Sequence, residues 1–500
     1  MQFNSFDYLL FFPIVLCVYF FIPRKLREIW LLLASYYFYM SWNVKYVVLI
    51  GFSTVVTYLG GLFIERISKS EAENAPKKAK LVLILTIVVN LAILALFKYA
   101  NFAINSINKV ASLVGGRSFD FAFDFLLPVG ISFYTFQALG YIIDVYRKDI
   151  PAERNFIRYA LFVSFFPQLV AGPIERSKNL LTQLKGVKEK NLWNAEHISN
   201  GFIMIIWGLF LKMVISDRVA ILVDNVFDNY RMFGSTELIM AAIGFSLQIY
   251  CDFYSYSIIA KGSACMMGIE LMENFNSPYF SVSIKDFWNR WHISLSTWFR
   301  DYLYIPLGGN RKGKFRKYVN LLIVFLVSGL WHGASWHYVV WGGIHGFYQI
   351  VGGLTQKPRE FLRKKLEINT NCFSWNLLQS SANFVLIAFA WIFFRAESVG
   401  KGIQFCKRIF IKPTPWLLFN GGIFNLGLDR VEMNILVVSV IILLLVDLLK
   451  YKRNQTLETF LFTQNTWFRW SVLIMLILFI FVFGEYGPLF DPKQFIYFQF

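Results

Sequence analysis

Histidine is scarce in this sequence, and four of its five copies lie between residues 292 and 345. His332 stands out because it lies near the end of an apolar run that starts at Tyr318. On a straight helix that places it about 20 Å along the axis, within a hydrocarbon core about 30 Å thick. An ionisable side chain at such depth indicates a functional role. The alternative is a neutral structural histidine, with Gly329 and Gly333 allowing close helix packing, and the position alone favours neither.

The chemistry that suits His332 is proton transfer from an alcohol. A hydroxyl is a poor nucleophile until a base takes its proton, and neutral imidazole does this near pH 7. When an acyl group moves from a thioester, a second group must stabilise the oxyanion of the tetrahedral intermediate. The sequence has no GxSxG motif and no convincing Cys–His pair. Direct transfer between bound donor and acceptor is therefore favoured over an acyl-enzyme.

The other histidines are predicted to have structural roles. The spacing of His332, His337 and His345 matches no HExxH pattern and includes no carboxylate, so no metal site is predicted. His337 and His345 are expected to pack or to form hydrogen bonds. His197 begins a predicted span and is expected at the membrane interface.

Residues 284–305 have the periodicity of one amphipathic helix, with apolar side chains in a single stripe. The pair Ser283 and Asp286 resembles a capping box at its start. The stripe consists of Ile284, Phe287, Trp288, Trp291, Leu295, Trp298, Phe299 and Tyr302.

The opposite face of this predicted helix is polar. Asn289, His292 and Ser296 are spaced by three and four, so they are expected to share one face. Arg300 and Asp301 follow. Such a helix can lie flat among lipid headgroups. Its mixed charges, and the histidines of the neighbouring segment 318–354, favour a polar face turned into a protein cavity.

The composition is that of a membrane protein. Of the 500 residues, 56% are hydrophobic and 16% are charged, well below the charge of a soluble chain. The net charge of +18 comes mostly from short loops between apolar runs, which favours loops beside anionic lipid over nucleic-acid binding. Five scattered cysteines without a CxxC pair predict neither a disulfide framework nor a zinc site.

Apolar runs predict 12 membrane spans within a single membrane domain covering residues 1–500. Segments 157–172 and 284–305 are interrupted and are predicted to be re-entrant or interfacial. The predicted spans are 6–22, 29–43, 46–64, 81–98, 129–146, 200–217, 237–258, 318–333, 335–354, 380–395, 432–448 and 469–486. The first is read as an uncleaved span, because no positively charged segment precedes it.

Basic residues between the spans predict the orientation. Clusters near 24–27, 69–80, 147–148, 311–317 and 363–365 share one side, which should be the cytoplasm. Lys407, Arg408 and Lys412 break this pattern, because they fall on the predicted outer side.

Two motifs strongly resemble the membrane-bound O-acyltransferase superfamily, and within it the bacterial alginate O-acetylase branch. One is DFWNRWHISLSTWFRDYLYIPLGGNR at 286–311, and the other is GLWHG at 329–333. Residues 6–42, 127–137, 166–176 and 495–500 are also similar, so the resemblance covers nearly the whole chain. Segment 284–354 would then contain the catalytic core motifs.

The resemblance implies a fold and a mechanism. The fold is all-α, with about 11–12 transmembrane helices and further re-entrant or interfacial helices around a central funnel. His332 would be the catalytic base at its narrow point, and His292 the second signature residue, orienting the donor or stabilising the oxyanion. Asn289, Ser296, Arg300, Asp301 and Trp331 are candidates for the donor side. Arg and Lys residues near 311–317 are expected to meet coenzyme A phosphates or lipid.

The resemblance also implies substrates, partners and a location. The donor would be acetyl-CoA or an acyl thioester carrier, taken from the cytoplasm, with no tightly bound cofactor. The acetyl group would reach an exported or cell-surface polysaccharide with the help of an extracytoplasmic acetyltransferase partner. The enzyme would be a multi-pass protein of the bacterial cytoplasmic (inner) membrane, surrounded by lipid and without a nucleic-acid partner.

The sequence departs from the family pattern at one position. The pattern after Asp252 and Phe253 would place an acid at position 258, where this chain has Ile258.

Two alternative functions remain to be compared. The transferases that carry out D-alanyl transfer of the teichoic-acid type share both histidine motifs, although their chains are shorter. A transporter or flippase also fits 12 spans, but the repeated halves with broken helices that are typical of transporters are not evident. We therefore predict a membrane O-acetyltransferase.

Overall fold

The computed structural model describes residues 1–116, 123, 128–170, 172–486 and 495–496. Positions 127, 171 and 497–500 of the motifs quoted above lie outside this described part. Within it, the regular secondary structure is helical, as predicted for an all-α protein. The chain divides into two compact units, Met1–Phe202 with Ile259–Met272, and Ile203–Ile258 with Glu273–Phe500.

The first unit is built around three long helices that pack on one another, α3, α4 and α6. Its helices are α1 (Phe6–Phe21), α2 (Arg27–Met40), α3 (Tyr46–Ser68), α4 (Ala75–Leu94), α5 (Ala100–Leu113), α6 (Ile131–Tyr146), α7 (Phe156–Ser164), α8 (Phe166–Leu169) and α9 (Ser177–Lys185). A π-helical turn, Ala95–Tyr99, joins α4 to α5. A break at Phe165 divides segment 157–172 into α7 and α8, and its re-entrant or interfacial location stays a prediction.

The second unit contains both histidine motifs. Its helices are α10 (Ala195–Leu209), α11 (Asp217–Asp228), α12 (Ser235–Met266), α13 (Ile284–Arg290), α14 (Ile293–Phe299), α15 (Gly313–His332), α16 (Trp336–Leu354), α17 (Gln356–Lys365), α18 (Phe373–Arg395), α19 (Val399–Ile411), α20 (Arg430–Arg453), α21 (Leu457–Phe462) and α22 (Thr466–Phe483). Helix α10 begins in the first unit, and α12 ends there. The π-helical turns Phe210–Ser216 and Arg300–Tyr304 follow α10 and α14.

Every one of the 12 predicted spans lies on a helix. Seven helical segments of the described chain are long and apolar enough to cross a membrane, so the protein is a multi-pass membrane protein. These segments are Tyr46–Ser68, Ala75–Leu113, Ala195–Asp228, Ser235–Met266, Phe373–Arg395, Arg430–Arg453 and Thr466–Phe483. Helix α1 is a shorter apolar helix. The spans assigned to α2, α6, α15 and α16 stay predictions.

Helices α15 and α16 form a close hairpin that positions His332 at its bend. A Cβ atom at Gly329 would lie 2.2 Å from the backbone oxygen of Tyr338, and one at Gly342 would lie 2.2 Å from that of Phe325. Only glycine permits this backbone approach. The packing role considered for Gly329 is therefore present, and it fixes the end of α15, whose last residue is His332.

Replacing Gly342 by alanine is expected to destabilise this hairpin. The added methyl group meets backbone rather than a flexible side chain, so the two helices must separate, at a cost of about 1–3 kcal/mol. Thermal denaturation of the purified protein in detergent should show a lower midpoint than for the unmodified chain. Gly352→Ala, on the same helix with no atom within 4 Å of the added Cβ, is the matched control. Equal midpoints for the two variants would contradict the close packing.

Candidate active site

The backbone breaks at His292, so the prediction of one helix over 284–305 is wrong. His292 adopts φ 43° and ψ 53°, in the left-handed region, between the end of α13 and the start of α14. A non-glycine residue rarely adopts this conformation, and such residues cluster at functional sites. The sequence pattern is helical on both sides, but the two apolar stripes belong to separate short helices.

A loop that crosses the break explains why the helix does not continue. Asn274 accepts the N–H of Ile293 at its backbone oxygen, at 3.0 Å. Its side-chain Oδ1 accepts the hydroxyl of Ser294 at 2.6 Å, and its Nδ2 donates to Ser257 at 3.1 Å. The N–H of Asn276 donates to the backbone oxygen of Arg290 at 3.0 Å. These bonds replace helical ones at the junction and hold it against α12.

The break also changes which polar side chains lie together. His292 is fully buried, whereas Asn289 is exposed, so they do not share a face as predicted. Ser296 is partly buried and donates its hydroxyl to the backbone oxygen of Trp291 at 3.3 Å. Arg300 is exposed, and its Nε lies 2.8 Å from Oδ1 of Asp301. Only half of the predicted capping box at Ser283 forms. Its hydroxyl accepts the N–H of Asp286 at 3.1 Å, but the carboxylate of Asp286 accepts the N–H of Val282, at 3.2 Å, rather than that of Ser283.

The structure brings the two histidine motifs together. The ring centroids of His292 and His332 are 6.4 Å apart. Trp331 lies beside both rings, 6.0 Å from His292 and 5.0 Å from His332. His332 is 3% exposed and Trp331 4%. Residues 40 positions apart in sequence thus form one buried cluster of two imidazoles and an indole.

Aromatic side chains enclose this cluster. The ring of His332 makes T-shaped contacts with Trp341 and Phe394, with ring centroids 5.0 and 5.5 Å apart. His292 packs edge-on against Phe253 at 4.6 Å. Such surroundings exclude water and strengthen any electrostatic interaction within them.

A cavity of about 330 Å³ lies next to the cluster, lined by residues of the second unit. Tyr338 and Phe394 are part of its wall, and the Phe394 ring also contacts His332. His332 itself is not among the residues that line the cavity.

The two remaining histidines of the group make the contacts that were predicted for them. His337 lines the cavity, and its Nδ1 lies 3.1 Å from the backbone oxygen of Phe393. His345 is fully buried, and its Nδ1 accepts the indole N–H of Trp288 at 3.3 Å. The latter bond ties α16 to α13, the helix that leads to His292.

The cavity wall contains a buried ionic cluster that was not predicted from the sequence. The ammonium group of Lys212 lies 2.8 Å from Asp217 and 2.7 Å from Asp252, and all three side chains are about 2% exposed or less. The N–H of Ile496 donates to the second carboxylate oxygen of Asp252 at 2.7 Å. The sequence contained a sign of this cluster, because Lys212 and Asp252 are ionisable residues inside predicted membrane spans.

The Ile258 position lies close to the loop that holds the break. Ile258 is 7% exposed and follows Ser257, which accepts the Nδ2–H of Asn274. An apolar side chain therefore fills a buried position where the family pattern suggests an acid.

Comparison with known proteins gives a consistent set of relatives. The sequence model of the membrane-bound O-acyltransferase family matches residues 148–399, which include both histidine motifs. The chain is 40% identical over 390 residues to the probable alginate O-acetylase AlgI of Pseudomonas putida, covering 78% of this chain and 76% of that one.

Two further relatives carry other names. The peptidoglycan O-acetyltransferase of Helicobacter pylori is 36% identical over 405 residues, covering 76% of this chain and 73% of that one. The teichoic acid D-alanyltransferase of Bacillus subtilis is 30% identical over 231 residues, covering 43% of this chain and 56% of that one.

Proposed function

Because the chain belongs to the membrane-bound O-acyltransferase family, we propose that it moves acetyl groups from a cytoplasmic thioester donor to hydroxyl groups of an exported or cell-surface polysaccharide. The protein is a membrane-integral O-acyltransferase. The observation that carries the proposal is the meeting of His292 and His332 in one buried cluster. The alginate and peptidoglycan O-acetylating relatives support acetyl as the group that is transferred.

The reaction at this cluster needs one base and one oxyanion stabiliser. The imidazole of His332 accepts the proton of the acceptor hydroxyl, while the oxygen of that hydroxyl bonds to the carbonyl carbon of the thioester. The resulting oxyanion is stabilised by a donor beside it, for which His292 and the indole N–H of Trp331 are the candidates. The C–S bond then breaks, the ester forms, and the proton passes from His332 to the leaving thiolate. No acyl-enzyme is required.

The donor is proposed to approach from the end of the hairpin opposite His332. Helix α15 is 20 residues long, so its start lies about 30 Å from His332 along the axis. Basic residues precede and begin this helix at 311–317, and α17 adds more at 357–365. Most of these side chains are exposed, and positive loops favour the cytoplasmic side. They would attract the phosphates of coenzyme A or an acidic carrier protein.

The proposal includes a place and a partner. The enzyme would act in the cytoplasmic membrane of a bacterium, with donor and acceptor on opposite sides. A second acetyltransferase outside this membrane would complete transfer to the polymer, because a buried cluster with an adjoining space of about 330 Å³ does not admit a folded polymer chain.

The donor is the first point to test. Protein reconstituted into vesicles should transfer label from radioactive acetyl-CoA, or from an acetylated carrier protein, to a hydroxyl acceptor. A D-alanyl carrier thioester offered in parallel is expected to be a much poorer donor, because the D-alanyltransferase relative aligns with only 43% of this chain. Preferential transfer of D-alanine would overturn the proposal in favour of the teichoic-acid type of reaction.

A further inference from the structure

Helix α20 lies beyond residues 148–399, which the family model matches, and it carries two buried ionisable residues that the proposed reaction does not use. It is one of the segments apolar enough to cross a membrane. Asp447 and Lys450, near its end, are 4% and 8% exposed, so they face protein rather than lipid. They are three positions apart and therefore share one face of the helix. Ionisable side chains within a span are costly, which indicates a specific role.

Lys450 binds the loop that crosses the break between α13 and α14. Its ammonium group donates to the backbone oxygen of Phe275 at 2.8 Å and lies 3.3 Å from the carboxylate of Glu273. Asn274 and Asn276, on either side of Phe275, form the hydrogen bonds to α14 and α13 that impose the break. Lys450 therefore fixes the backbone of this loop at the point from which the break is maintained.

Asp447 binds both the same loop and the neighbouring helix α12. Its backbone oxygen accepts the hydroxyl of Ser277 at 2.9 Å. Its carboxylate accepts the hydroxyl of Tyr250, which lies 2.9 Å from one oxygen and 3.1 Å from the other. Ser277 adopts φ 45° and ψ 59°, in the left-handed region like His292. A non-glycine residue keeps this conformation only where its surroundings impose it, and the bond to α20 is one such constraint.

Aromatic rings connect these contacts to His292. The ring of Phe275 makes T-shaped contacts with Trp291 and with Phe253, with centroids 5.0 Å apart in both cases. Phe253 in turn makes a T-shaped contact with the imidazole of His292 at 4.6 Å. A displacement of Phe275 would therefore disturb both the residue that precedes His292 and a ring that its imidazole contacts.

We propose that Lys450 and Asp447 are positioning residues for His292, because they hold the loop 273–277 against α20 and so maintain the left-handed turn that places its imidazole beside His332. The direction of a side chain follows from the backbone that carries it, and this backbone is fixed by the loop. The inference rests on the proposed function, since it takes His292 to act in acyl transfer. A small misplacement of a group that acts in the transition state can slow a reaction strongly.

Double-mutant cycles with His292 distinguish positioning from a general effect on stability. Lys450→Met removes the donor to the loop, and Ser277→Ala removes the second contact without changing α20. Each is measured alone and combined with His292→Ala, as kcat and KM for acetyl transfer in vesicles. Alone, each should lower kcat by about tenfold to a hundredfold with little change in the KM for the donor. Combined with His292→Ala, each should change kcat by less than about twofold, because residues that act as a unit are not additive.

Hydrogen exchange gives a readout that does not depend on transfer. It is followed by mass spectrometry on the full-length protein in detergent. Lys450→Met and Ser277→Ala should speed exchange of the backbone N–H groups of Asn276 and Ile293 by about tenfold, because the loop that orders them is released. Lys452→Met replaces an exposed lysine of α20 and is the matched control, which should change neither exchange nor kcat.

Each result decides one question. Normal kcat in folded Lys450→Met and Ser277→Ala proteins overturns the inference, and so does an equal loss of kcat with and without His292. Full activity of His292→Ala overturns it as well. If Lys450→Met does not accumulate in the membrane, Ser277→Ala decides alone. An unmodified protein that transfers no acyl group from any donor overturns the proposed function instead, and unchanged exchange in the variants would then show that α20 does not hold the loop.

Discussion

Replacing His332 by alanine is expected to lower acetyl transfer by roughly 10²–10⁴-fold, the usual contribution of a general base. The loss should appear in the rate of transfer rather than in donor binding, because the imidazole acts on the acceptor proton. Its buried position beside His292 and Trp331 leaves little access for water to replace it. The measurement is transfer of labelled acetyl groups by purified variant protein in vesicles.

The alanine variant needs controls for folding. His332→Gln keeps much of the side-chain volume without a usable base, so it should be as inactive as the alanine variant with a thermal midpoint close to that of the unmodified protein. His197→Gln replaces a histidine of the first unit and should keep full activity. A folded His332→Gln protein with normal transfer rates would exclude His332 as the base.

Replacing Lys212 by methionine is expected to produce the largest loss of stability. The substitution leaves Asp217 and Asp252 buried side by side without their shared cation. Removing one partner of a buried ion pair costs about 3–5 kcal/mol, because the remaining charge cannot be hydrated. The purified variant should therefore show a much lower denaturation midpoint in detergent, or fail to accumulate in the membrane.

Neutralising the two carboxylates tests the cause of that loss. The triple change Lys212→Met, Asp217→Asn and Asp252→Asn removes the uncompensated charge and should recover much of the stability. Lys69→Met removes an exposed lysine from its pair with Glu65, which keeps Arg154 as a partner, and should change stability by less than about 0.5 kcal/mol. A single Lys212→Met variant as stable as Lys69→Met would contradict a structural role for the buried cluster.

The helices could be predicted because each depends on a local property. A run of apolar residues long enough to span a bilayer forms a helix wherever it lies in the fold, since lipid offers no other partner for the backbone. All of the predicted spans accordingly lie on helices. The meeting of His292 with His332 followed only from the resemblance, because no local rule connects residues 40 positions apart.

The break at His292 could not be predicted from the segment itself. Its periodicity is helical throughout, and the bonds that interrupt it come from Asn274 and Asn276, whose importance appears only in three dimensions. The same reason applies to the basic residues that broke the orientation pattern. Arg408 donates to the backbone oxygen of Phe233 at 2.6 Å and Lys412 to that of Met232 at 3.1 Å, so both serve the packing of a loop.

The hydrogen bond from Ile496 to Asp252 has a consequence for biosynthesis. Its two partners are separated by 244 residues. During translation, Asp252 enters the membrane with α12 long before Ile496 has been synthesised, although the helix carrying Lys212 is already present. The Oδ2 atom of Asp252 can therefore accept the N–H of Ile496 only after almost the whole second unit has been inserted. Assembly of the cavity wall should accordingly be among the last steps in the maturation of this protein.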